Sequence, residues 1–172
     1  ILDRVFIGKH EMLAIEELGL KTSVRTQVRK GPLDLQRERD LEEIEIRINT
    51  ACQQGRLGFS TVDDCIESAT LARSLDRSRT ELDGRFLRAE RFAEKYGTKH
   101  QQLVCEYQWA WTAFWWYEAY ELFAKLYGSA EKHAIGSQNA YDLELLSNLW
   151  FILNSLVRSG DLDKEEALLE VR

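Results

Sequence analysis

Residues 97–117, GTKHQQLVCEYQWAWTAFWWY, decide the fold. Gly97 is a stop, and Thr98 with Gln101 directly after it has the form of a capping box. Beyond the cap, Leu103, Tyr107, Ala110, Trp111 and Phe114 recur at three- and four-residue steps. That period is the apolar stripe of a helix, expected to run to about Tyr117. Val104, Trp115 and Tyr117 fall on other faces, so neighbours are expected on more than one side.

The same period continues in both directions along the chain. A helix is expected from about Ala119 to Ala134, another from Ala140, capped by Asn139, to Ser159. Leu145, Leu149, Ile152 and Leu156 form its stripe, with Leu146, Leu153 and Val157 beside it. Gly160-Asp161 breaks it and opens a last helix carrying Leu162, Ala167, Leu168 and Val171. Upstream, Leu41, Ile44, Ile48, Ala51 and Cys52 mark a helix from about Asp40. Thr61 with Asp64, and Thr80 with Asp83, have the form of two further capping boxes. A short helix at His10–Leu18 precedes the basic stretch Lys21, Arg25, Arg29, Lys30, which reads as a linker or ordered loop ending at Gly31-Pro32. The division is therefore 1–38, short helix plus basic loop, and 39–172, a helical domain. Loops of two to five residues force consecutive helices to lie antiparallel.

Composition agrees. The chain has 172 residues, 44% hydrophobic and 30% charged, which fits one globular domain and excludes a disordered tail or a coiled-coil rod. A single proline favours long helices over strands and turns. The net charge of -6 argues against a general nucleic-acid binder. The most apolar stretch, Leu103 to Tyr127, contains Glu106, Glu118, Glu121 and Lys125, and each acid near the middle of a span costs roughly 3 kcal/mol, so no membrane span is expected. Cys52, Cys65 and Cys105 are odd in number and form no CxxC, which points to reduced thiols in an intracellular setting, cytoplasmic or nuclear. His10, His100 and His133 lack helical metal-ligand spacing, and no phosphate loop or nucleophile elbow occurs. No cofactor, metal or catalytic residue is expected. The chain opens on Ile1 with Met12 its only methionine, which reads as a segment of a longer protein.

Two stretches look alike at a spacing of 37. Phe86 maps to Phe123, and Ala93-Glu94-Lys95 to Ala130-Glu131-Lys132, each word followed by a glycine and a tryptophan-bearing helix. A period in the thirties with two helices per unit suits an α-solenoid, with an irregular helical bundle as the alternative. From Val104 to about Ser137 the chain resembles the tetratricopeptide-type (TPR) repeat. Tyr107 stands at the family's tryptophan, Ala110 at its leucine, Phe114 at its tyrosine, Tyr127 at the second-helix aromatic and Ala130 at the last small residue. Trp111, Phe123 and Ile135 depart from its glycine, alanine and proline, which implies a splayed or displaced pair. A second window sets Leu149, Ile152, Leu153 and Leu156 on first-helix positions.

The resemblance implies that the first helix of each pair lines a concave groove. By position, Gln108, Thr112, Trp115 and Trp116 face it from one pair, and Trp150, Asn154 and Arg158 from the next. Such an aromatic groove suits an extended or helical peptide. The expected function is a non-catalytic protein-interaction module, a scaffold or adaptor segment. A ligand-sensing helical domain with a closed aromatic pocket is one alternative, and an RNA-associated bundle using Lys21–Lys30 is another. Exposed end helices allow a dimer. Trp111 is expected in the core and Trp116 at the surface.

Overall fold

The computed structural model describes residues 31–162, and these form six helices with no strand among them. They are α1 Pro32–Gln54, α2 Phe59–Ser74, α3 Arg79–Tyr96, α4 Lys99–Trp115, α5 Tyr120–Ala134 and α6 Ala140–Ser159. The all-α class expected from the pattern holds. The His10–Leu18 helix, the Lys21–Lys30 stretch and the last helix lie outside the described residues.

Local chemistry sets the helix ends. Thr98 and Gln101 form both bonds of the capping box at the start of α4. The Asn139 side chain accepts from the Tyr141 amide at α6, and Ser78 accepts from the Glu81 amide at α3. Thr61–Asp64 and Thr80–Asp83 are not caps. Thr61 is buried inside α2 and Asp64 binds Arg47 of α1, while Asp83 pairs with Arg79 at 3.5 Å. The first described helix begins at Pro32, eight residues before Asp40, because proline lacks only a hydrogen bond that the first helical turn never makes. Helix α4 stops at Trp115, two residues early. Glu118 takes a left-handed φ of 49°, and the Ala119 amide donates back to the Ala113 carbonyl at 2.9 Å. Gly160, at φ 81°, ends α6 with a similar return bond from Leu162 to Leu156.

Each helix packs on the next, and α4 also packs on α2 and α6. Helices α2 and α4 run parallel. Gln101 donates to the Phe59 carbonyl and Asp63 at one end, and Arg73 reaches Gln108 and Thr112 at the other. His100 meets Asp142, and Asn148 lies against the Tyr107 hydroxyl, so α4 and α6 are parallel too. These three helices start 40 and 41 residues apart. The matched words at a spacing of 37 fall in the last turns of α3 and α5, where Ala93 and Ala130 are both buried.

Four neighbours around α4 explain why it is apolar on several sides. Leu103, Trp109, Ala110 and Ala113 join Phe86 of α3, Phe123 and Ala130 of α5, and Leu149 and Leu156 of α6 in one core cluster. The contact of α4 with α5 is the most extensive in the fold, so the pair is not splayed. The bulk of Trp111 is turned to Tyr107 on its own helix, and the alanines Ala110 and Ala113 are fully buried in the cluster. A second cluster holds Ile44, Ile48, Val62, Cys65 and Cys105 between α1, α2, α3 and α4. Cys65 and Cys105 pack there as small hydrophobes, and burial pushes the Cys65 thiol up to about 12. Cys52 is exposed.

The N-terminal helices carry an ion network. Glu45 of α1 binds Arg85 and Arg88 of α3 and accepts from Ser68 of α2. Burial works to raise the Glu45 pKa, but the hydrogen bonds from Arg88 and Ser68 and the charges of both arginines hold it down to about 2. A depressed carboxylate stabilises the fold above its unfolded value, and that contribution fades as pH falls from about 4.5 to about 2. Glu45→Gln is expected to cost about 1–2 kcal/mol at pH 7, less than a fully buried pair because a quarter of the side chain meets solvent. The same variant should flatten the acid limb of a denaturation-against-pH curve. An unchanged acid limb would show that Glu45 does not set it.

Candidate partner-binding site on the aromatic helix

Along one side of α4 the rings form a ladder. Tyr107 stacks on Trp111 at 5.8 Å, Trp111 meets Trp115 at 5.8 Å, and Phe114 meets Trp115 edge-on at 4.7 Å. Phe114 continues into the core through Phe123. Trp109 points the other way, stacked on Phe86 of α3, and is 7% exposed. Trp109 therefore fills the buried position expected for Trp111, which is only half-buried. The ladder surfaces at the last turn of α4, where Trp115 and Trp116 are 46% and 44% exposed.

Arg73, near the end of α2, joins three of the expected groove residues. Its Nη1 donates to the Gln108 carbonyl at 3.3 Å and to Thr112 Oγ1 at 3.0 Å, and its Nη2 donates to Gln108 Oε1 at 3.1 Å. Its guanidinium lies over the Trp116 ring, 5.0 Å from the centroid. Burial lowers the Arg73 pKa, and the groups that act on it in the opposite sense are Tyr107 and Tyr117. Arg79 stacks over Tyr117 at 4.7 Å, and burial pushes the Tyr117 hydroxyl up to about 12.

The structure thus gathers Gln108, Thr112 and Trp116 around Arg73, with Trp115 next in the chain. Thr112 is fully buried beneath Arg73, and it anchors the site from inside. Helix α6 turns Tyr141, Asp142 and Asn148 toward α4. Trp150 is two residues past Asn148, about 200° round the helix, and so projects away from α4. Asn154 and Arg158 follow at four-residue steps on the side of Trp150. These three do not join the α4 cluster. Trp150 is 54% and Phe151 71% exposed. Arg73 escaped sequence reading because its partners lie 35 and 39 residues away. The only local signal was a basic residue in the last turn of α2, which ordinarily reads as a favourable charge at a helix end.

The chain was compared with protein-family models, curated proteins and solved structures. It matches none of them. Among the described residues no three His, Cys, Asp or Glu side chains converge as a metal site, and no helix is long and apolar enough to cross a membrane. Two surface hollows of about 390 and 370 Å³ are lined by Gly84, Leu87 and Arg88 and by Glu38, Leu41 and Glu45, away from the tryptophans of α4.

Proposed function

We propose that the chain is a non-catalytic protein-interaction module that holds a peptide or helix of another protein on the α4 surface. Its helix pairs are read as a short α-solenoid. The parallel run of α2, α4 and α6 and their starts 40 and 41 residues apart support that stacking. The observation that carries the binding role is the adjacent, half-exposed pair Trp115 and Trp116. Two large rings left in solvent at the end of a packed aromatic ladder fit an interface anchor, because tryptophan buries wide apolar area while fixing few torsions.

The test is an affinity capture from cell extract with wild type, Trp115→Ala/Trp116→Ala, and Trp150→Ala. The expected result is a partner protein lost by the double variant, retained by Trp150→Ala, with helicity by circular dichroism unchanged in both. Equal capture by all three would remove the binding role from α4.

A further inference from the structure

Arg73 is built like a receptor for a negative charge. Among the described residues the other half-buried arginines each hold a carboxylate: Arg37 holds Asp34, Arg85 holds Glu45 and Glu81, and Arg88 holds Glu45. Arg73 is half-buried with none, and its acceptors are a carbonyl, an amide oxygen and a hydroxyl. Leaving a guanidinium partly desolvated without a counter-charge is costly.

The bonds also show which part of Arg73 is open. A guanidinium has five N–H groups. Nη1 donates to the Gln108 carbonyl and to Thr112 Oγ1, and Nη2 donates to Gln108 Oε1. Nε has no acceptor among the described residues, and Nη2 has one for its two hydrogens, so the side edge that Nε and Nη2 share has N–H groups left to give. Nε is absent from the buried polar atoms that lack a partner, so Nε reaches solvent. One face of the guanidinium is fixed by Trp116. The result is a pre-oriented fork beside two exposed indoles, the geometry that a carboxylate bridges with two charge-assisted hydrogen bonds.

We propose that the Nε–Nη2 edge of Arg73 receives the side-chain carboxylate of an aspartate or glutamate in the partner's segment, with neighbouring apolar side chains laid on Trp115 and Trp116. This inference rests on reading α4 as the partner-binding surface and supplies the chemistry of that partner. Because the chain is acidic overall, at -6, the segment carries one acid among apolar residues, since an acidic run would be repelled by the rest of the surface.

The probe is a phage-displayed library of random 12-residue peptides selected on the wild-type protein. Binders that are lost on Trp115→Ala/Trp116→Ala are then synthesised with amidated ends. The expected binders share one Asp or Glu within an apolar sequence. Replacing it with Asn or Gln should weaken binding about tenfold to a hundredfold on the unaltered protein. Arg73→Lys, which keeps the charge and loses the fork, should weaken the acidic peptide by a similar factor and its amide version hardly at all. Tryptophan-dependent binders that tolerate the acid-to-amide change would overturn the carboxylate site and leave the binding surface standing. Recovering no tryptophan-dependent binder would overturn both. The peptide-side replacement decides the matter even if variants of Arg73 fold poorly.

Discussion

Trp109→Ala is expected to destabilise the fold by roughly 3–5 kcal/mol, the largest effect of any tryptophan on α4. Its ring is stacked on Phe86 at 5.8 Å with only 6° between planes, and Phe86 is itself completely buried. Removing the indole opens a cavity between α3 and α4 that Ala110 and Ala113 of the same cluster are too small to fill. It also leaves Asp83 without the indole N–H that reaches it at 3.4 Å. Trp111→Ala should cost less, about 1–2 kcal/mol, because Trp111 is half-buried and loses mainly its stack with Tyr107. Urea denaturation followed by far-ultraviolet circular dichroism measures both. A larger loss for Trp111 than for Trp109 would reverse the assignment of faces on α4.

That contrast marks how far the sequence could be read. The boundaries of α6 and the cap of α4 were legible because their signals are local: Asn139 before an apolar period, Gly160 after it, and Thr98 three residues before Gln101. The Thr61–Asp64 and Thr80–Asp83 pairs misled because capping spacing recurs by chance inside helices, where the same side chains serve other helices. The start of α1 was hidden by a basic stretch ending in Gly31-Pro32, a word that ends a loop and opens a helix equally well. Face assignment fails for a different reason. The helical period says that Trp109 and Trp111 point in different directions, but which direction is inside depends on α3 and α6. Trp115 and Trp116 were legible as surface residues only because the stripe used up the other positions. Arg73 was not legible, since its role exists only once α2 lies parallel beside α4.

Glu106 is expected to make stability fall as the pH rises toward neutrality. It sits on α4, 4% exposed, facing α3 and α5. Ser129 of α5 donates to its Oε1 at 3.2 Å, while Oε2 is buried without a partner. Burial raises its pKa most, the charges of Glu90 and Glu94 on α3 add to the rise, and the Ser129 bond and Lys125 of α5 oppose it, leaving a value of about 7. Cys105, next to it in the chain, keeps its proton throughout because burial lifts its own pKa well above 9.0. Between about pH 4.5 and 7 the folded chain holds a proton on Glu106 that the unfolded chain releases. Stability from this group is therefore complete below pH 4.5 and lost as the pH climbs to about 7, with no further loss above. At about 1.4 kcal/mol per pH unit, the change across that window is roughly 3–4 kcal/mol. Glu45 works in the opposite sense below pH 4.5, so the two groups together stabilise the fold most near pH 4.5. Glu106→Gln keeps the shape and an acceptor for Ser129 while removing the proton equilibrium. It should abolish the slope between pH 5 and 7 in urea midpoints and raise stability at pH 8. The same slope in wild type and variant would place the titrating group elsewhere.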